Sequence, residues 1–201
     1  MPLYTDQTGA VLQLNDTPKR IISLVPSQTE LLFDLGLNEE VVGITKFCIH
    51  PEAWWQHKTR VGGTKKVNFE TIDSLQPTLI IANKEENTKE DIELLVSKYE
   101  VLLTDIQTLD DAFFYLLEIG ERVNRVEAAR SLVDQIKKDF QALGPIGKGA
   151  SFLYFIWKDP YFVVGPHTYI HALLTHFGLV NCCEIERYPD LDQVLANKTS
   201  L

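Results

Sequence analysis

Four short apolar runs constrain the fold more than any other feature: Ile21-Ile22-Ser23-Leu24-Val25, Val41-Val42-Gly43-Ile44, Thr78-Leu79-Ile80-Ile81-Ala82 and Val101-Leu102-Leu103. Runs this short, rich in β-branched residues and without polar alternation, suit strands buried on both faces. Helical patterns separate them. Ser27-Gln28-Thr29-Glu30 has the form of a capping box, and Leu31, Leu32 and Leu35 give an apolar face that stops at Gly36. Residues 69–75 read as a short helix with Asn68 as its N-cap, and Thr88-Lys89-Glu90-Asp91 opens another with Ile92, Leu95, Val96 and Tyr99 at helical spacing. Strands alternating with helices predict a parallel, doubly wound sheet with right-handed crossovers. Ahead of it, residues 4–14 place a Gly-containing turn between alternating stretches, which predicts a β-hairpin.

The period changes at residue 108. Through residue 143 the apolar positions Phe113, Leu116, Leu117, Gly120, Val123, Leu132, Ile136, Phe140 and Leu143 recur at helical intervals, with Gly120 and Asn124 as the points where such a helix can kink or be interrupted. The linker Gly144-Pro145-Ile146-Gly147-Lys148-Gly149 follows, and βα character resumes over 151–157, 161–164 and 168–177. The expected architecture is α/β: two Rossmann-like lobes with parallel sheets joined by a long backbone helix. The N-terminal lobe is expected over 1–107, the helix over 108–143 and a C-terminal lobe over 144–201.

Composition excludes several classes. With 45% hydrophobic and 23% charged residues in 201, disorder is excluded as the main reading. No apolar run approaches the roughly 20 residues that span a bilayer, so membrane insertion is not expected. A net charge of −9, from 19 Lys plus Arg against 28 Asp plus Glu, repels a phosphate backbone, and nucleic acid is not expected as a partner. Cys48, Cys182 and Cys183 lack zinc-type spacing and are expected as free thiols. No metal site is expected. His167 and His171 stand at i and i+4 but lack a third ligand, and His57 and His176 belong to no constellation. No GxGxxG, Walker A or GxSxG pattern occurs, so no enzyme is expected. The N-terminus lacks the basic and apolar regions of a secretory signal, which fits either a cytoplasmic protein or one whose leader has been removed.

Open α/β sheets place ligands at the carboxyl ends of their strands. That singles out Phe47 and His50 after the second strand, and Thr64 and Asn83 after later ones. Trp157 and Tyr161 flank the Lys158-Asp159-Pro160 turn, where aromatic rings offer a flat stacking area. Packing is the competing reading for these aromatics and for Trp54 and Trp55. The His50 imidazole could ligate or hydrogen-bond a metal chelate. Glu70 lies at a helix start, where a carboxylate is favoured.

The order of motifs carries a resemblance over nearly the whole chain. Residues 20–30, Gly62-Gly63-Thr64, Asn68-Phe69-Glu70, residues 77–82, and Ile156-Trp157-Lys158-Asp159-Pro160-Tyr161 with Gly165 and Ile170-His171 resemble the helical-backbone (class III) substrate-binding proteins of ABC importers. The resemblance implies a ligand held between two lobes, binding without catalysis, and no prosthetic group. It implies a transported ligand that is cobalamin or another corrinoid first, and haem or a ferric siderophore next. Phe47 stands where the cobalamin type has a contacting aromatic, whereas Thr64 and Asn83 stand where it has tryptophans. The resemblance further implies a permease dimer as partner, met by Glu70 in one lobe and Asp192 in the other, and a periplasmic or extracytoplasmic location. The alternative is a cytoplasmic chelate-binding or sensing protein of the same fold without a transporter. The family's second lobe continues beyond the segment around Asp192, which leads us to expect self-association through a truncated second lobe.

Overall fold

The computed structural model describes residues 3–6, 8, 9, 11–13 and 17–198. The chain divides into two compact units, Met1–Asp105 with Tyr115–Leu132, and Ile106–Phe114 with Val133–Leu201.

Unit 1 opens with the expected hairpin, β1 (Leu3–Thr5) antiparallel to β2 (Val11–Gln13). Between them the buried Asp6 carboxylate accepts hydrogen bonds from the Thr8 backbone and, at 3.3 Å, from the Leu103 N–H. Then follow β3 (Ile21–Ser23), α1 (Pro26–Asp34), β4 (Val41–Ile44), α2 (Glu52–His57), β5 (Thr59–Arg60), α3 (Phe69–Leu75), β6 (Leu79–Asn83), α4 (Lys89–Val96) and β7 (Val101–Thr104). Strands β5-β4-β3-β6-β7 form one all-parallel sheet in that order. The four predicted runs supply all of it except β5. Ile22, Leu24, Ile80 and Ala82 are fully buried and meet Val61, Ile72 and Leu95 from the surrounding elements, as a sheet covered on both faces requires. The chain runs outward from β3 on one side and returns to β6 on the other, so the switch point lies between the ends of β3 and β6.

Two helix ends show how sequence sets the boundaries. At the close of α1, Gly36 adopts φ +78° while its N–H reaches Phe33 O (2.8 Å) and the Leu37 N–H reaches Leu32 O (3.1 Å), a complete Schellman motif. At its start the capping box does not form. Pro26 takes the first helical position and Val25 the cap, so Ser27 lies inside the helix, and the Thr29 hydroxyl donates back to Val25 O at 2.9 Å.

The stretch 108–143 forms two helices rather than one, α5 (Leu109–Arg122) and α6 (Val126–Leu143). Asn124 has φ +56°, its N–H bonds Glu121 O (3.2 Å) and the Arg125 N–H bonds Gly120 O (2.7 Å). This is the same Schellman geometry with asparagine in the left-handed position, which asparagine tolerates better than most residues. Gly120 lets α6 approach closely, since a β-carbon there would lie 2.3 Å from Ala129 Cβ. On the buried face of α5, the Glu118 carboxylate binds the fully buried Arg122 guanidinium one turn on, beside Tyr115.

Unit 2 contains β8 (Ser151–Phe152), β9 (Phe155–Trp157), β10 (Phe162–Val163), α7 (Tyr169–His176), β11 (Val180–Asn181) and α8 (Leu191–Lys198). The parallel pairing here is β8 with β11, and β9 pairs antiparallel with β10. The strand expected over 151–157 is therefore two short strands with different partners. Val163, Cys183 and Val194 form the core with Leu153, Ile185 and Leu191. Gly165 sits against the 185–187 segment, donating to Arg187 O at 2.7 Å.

Candidate functional site

Because the five strands of unit 1 are parallel, the loops after β3, β4, β5, β6 and β7 all leave one edge of the sheet. Phe47, His50, Thr64 and Asn83 all belong to that edge, and they divide into two groups. Phe47 is 52% exposed and His50 is exposed. The Phe47 ring rests on Gly63, where a β-carbon would lie 3.2 Å from Phe47 Cε2, and Lys46 Nζ lies 5.1 Å from the ring centre. Between the exposed positions, Cys48 is completely buried, its Sγ 3.1 Å from the Thr29 hydroxyl and 3.2 Å from that of Thr45.

Thr64 and Asn83 are turned to the loops themselves. Thr64 is buried and its carbonyl accepts from Asn87 Nδ2 at 2.9 Å. Asn83 Oδ1 accepts from the Glu85 (2.9 Å) and Glu86 (3.2 Å) N–H groups, while its Nδ2 donates to Thr104 Oγ1 at 3.0 Å. Two residues not anticipated from sequence complete this support. Asn87 Oδ1 accepts from the Asn83 N–H (2.9 Å), and buried Gln28 donates to Thr104 Oγ1 (2.7 Å) and Ala82 O (3.2 Å). The spacing of Asn83 and Asn87 just past an apolar strand is the one signal that pointed there.

Trp54 lies in α2, buried, edge-on to Phe33 at 5.5 Å between centroids and donating from Nε1 to Asn38 Oδ1 at 3.1 Å. Packing is its role. Trp55 is covered by the Arg60 guanidinium, 4.0 Å from the ring centre.

In unit 2, Trp157 (65% exposed) and Tyr161 (44%) flank the turn at 158–160, and Phe155 meets Tyr161 edge-on at 5.5 Å. No side chain of β9 is buried. His167 Nε2 lies 3.4 Å from the Glu186 carboxylate. His171 Nδ1 accepts from Asn181 Nδ2 at 3.1 Å, the same amide donating to Val164 O at 2.9 Å, which assigns the remaining ring proton to Nε2. Burial, with the nearby His167 adding, lowers the His171 pKa and favours the neutral ring. Among the described residues, no group of three or more His, Cys, Asp or Glu could hold a metal ion, and no helix is long and apolar enough to cross a membrane.

Glu70 and Asp192 occupy equivalent positions. Each is the second residue of its helix and exposed, follows a half-buried apolar residue (Phe69, Leu191), and precedes by two a buried one (Ile72, Val194). Each helix starts on a polar cap, with Asn68 Oδ1 accepting from the Thr71 N–H (3.0 Å) and Asp190 Oδ1 from the Asp192 N–H (2.8 Å).

An all-parallel sheet with this strand order, with its loops gathered at one edge, is that of a Rossmann-type α/β protein. The chain belongs to the periplasmic binding protein family, whose model matches residues 21–195, and this is a family of binding proteins. It is 28% identical over 180 residues to an ABC transporter substrate-binding lipoprotein of Bacillus subtilis, covering 84% of this chain and 57% of that protein. Its fold matches the periplasmic vitamin B12 binding protein of Vibrio cholerae (TM-score 0.77, 22% identity, 90% of this chain and 73% of that one). It also matches a periplasmic haem-binding protein of Roseiflexus sp. RS-1 (TM-score 0.74, 21% identity, 88% and 72%). The chain spans about half the length of the curated relatives it matches.

Proposed function

We propose that the chain captures a metal chelate of the cobalamin, haem or ferric siderophore type outside the cytoplasm and presents it to the permease of an ABC importer. The observation that supports this reading is the aromatic surface left in solvent at the candidate positions. Phe47 is exposed on the carboxyl edge of unit 1, and Trp157 with Tyr161 on the turn of unit 2. Rings of this size are costly to leave in water unless they meet a partner, and they stack on flat macrocycles with little loss of side-chain freedom. Family membership and the names carried by the relatives above support the same reading. Isothermal titration with cyanocobalamin, haemin and a ferric siderophore tests it. Heat of binding and a raised Tm are expected with at least one, and Phe47→Ala is expected to weaken that binding about tenfold. Silence from all three defeats the proposal.

Glu70 and Asp192 are proposed as the permease contacts. Exposed carboxylates fixed by the backbone of a helix start steer docking more than they strengthen it. Glu70→Arg is expected to slow uptake in cells carrying the importer while chelate affinity stays unchanged. Normal uptake by that variant removes Glu70 from the docking surface.

A further inference from the structure

We infer that the ligand is an anionic chelate, bearing carboxylate or catecholate oxygens at its periphery, and that Lys46, Lys65 and Lys66 receive its charge beside the Phe47 ring. This rests on the reading that the carboxyl edge of the unit 1 sheet faces the ligand, and it moves the preference from cobalamin to the negatively charged alternatives.

The chain as a whole is acidic at −9, yet residues 41–69 carry Lys46, Lys58, Arg60, Lys65 and Lys66 against a single acid, Glu52. Two of these cations are engaged locally. Lys58 Nζ donates to Asn38 O at 2.7 Å, and Arg60 covers Trp55 and donates to Lys58 O. The other three are exposed and lie in the loops that leave the carboxyl ends of β4 and β5. Lys46 and Lys66 make no ion pair among the described residues, and Lys65 Nζ donates to a neutral group, the Glu85 carbonyl, at 2.6 Å. The acids on the adjoining loops are Glu85, Glu86 and Asp105, of which Asp105 is paired with Lys84 at 2.6 Å.

One glycine ties the basic groups to the aromatic platform. A β-carbon at Gly63 would lie 3.2 Å from Phe47 Cε2 and 3.3 Å from Lys46 Cε, and the Gly63 N–H donates to Lys66 O at 2.8 Å. The Lys46 N–H in turn donates to Gly62 O at 2.8 Å. The ring, the Lys46 stem and the Lys65-Lys66 turn therefore converge on Gly63. A flat ligand that stacks at Phe47 meets the Lys46 ammonium, which lies over that ring at 5.1 Å and must swing aside to the ligand's edge, where charged oxygens form stronger hydrogen bonds with it than neutral amides do. In an acidic protein such an edge also concentrates anions locally and speeds their arrival.

The test grades ligands by charge. Haemin and a ferric tris-catecholate are anionic, cyanocobalamin is neutral and ferrioxamine B is cationic, and each is titrated into the full chain at about 0.05 M and about 0.5 M NaCl. One or both anionic probes are expected to bind, more weakly at the higher salt, the two arms distinguishing a carboxylate-bearing from a catecholate ligand. The double variant Lys46→Gln with Lys66→Gln is expected to lower that affinity about tenfold. Lys89→Gln on α4 is expected to leave it unchanged. Both lysines are exposed, so an unchanged melting curve verifies that the double variant is folded. Preference for cyanocobalamin or ferrioxamine B, or anionic binding indifferent to the double variant, overturns the charge inference and leaves chelate binding standing. Silence from every probe overturns both.

Discussion

Glu118→Ala is expected to destabilise unit 1 by about 3–5 kcal/mol, the range seen when one partner of a buried ion pair is removed. Arg122 has no exposed side-chain surface and its guanidinium is bound by the Glu118 carboxylate one turn earlier. Removing that carboxylate takes a charged partner from a cation that has no exposed side-chain surface. The neighbour offers no anion in exchange, because burial pushes the Tyr115 phenol far above its ordinary pKa and keeps it neutral. Replacing both members, Glu118→Leu with Arg122→Met, is expected to recover most of the loss, since packed apolar groups of similar volume can match a buried pair. Denaturant titration gives the energies, and hydrogen exchange assigns the loss to unit 1. A single variant within about 1 kcal/mol of wild type means the charge finds water or another partner.

Gly165→Ala is expected to cost about 3 kcal/mol and to act on unit 2. The added β-carbon would lie 1.7 Å from the backbone oxygen of Ile185, an atom that no side-chain rotation can move. The strain falls on a tight junction, because the Gly165 N–H bonds Arg187 O (2.7 Å) and the Arg187 N–H bonds Pro166 O (2.8 Å). Ile185 also packs on the Val163, Cys183 and Val194 core. Thiol labelling reads the result by location. Cys183 is expected to become reactive, while Cys48, in unit 1, keeps its protection. Unchanged protection of Cys183 would mean that the 185–187 segment shifts at no cost to its core.

The central strands of unit 1 were legible because burial on both faces leaves no room for polar alternation, as in Ile21-Ile22 and Leu79–Asn83. β5 was not, since two residues, Thr59 and Arg60, carry no pattern. The break between α5 and α6 was legible as one of two alternatives, a kink or an interruption at Gly120 and Asn124, and the left-handed Asn124 makes it an interruption. The capping box misled because Pro26, one residue earlier, already set the first helical turn. In unit 2 the run through Trp157 reads as one strand, yet it divides into β8 and β9, and β9 stays in solvent. At the candidate site, position after a strand was enough to place Phe47 and His50 at the carboxyl edge of the sheet. Gln28 was out of reach because its hydrogen bonds go to Ala82 and Thr104, far away in sequence, whereas Asn87 is signalled only by its spacing from Asn83, whose N–H it accepts.

The loop that carries Phe47 and His50 is fastened at its middle. Cys48 sits in a sealed pocket of hydroxyl groups from β3–α1 and the end of β4, so the residues on either side face solvent from a fixed point. On the proposed reading, a loop anchored at Cys48 leaves less backbone to order when a chelate arrives. The Cys48 thiol, held between the Thr29 and Thr45 hydroxyls, would then count among the determinants of affinity without touching the ligand.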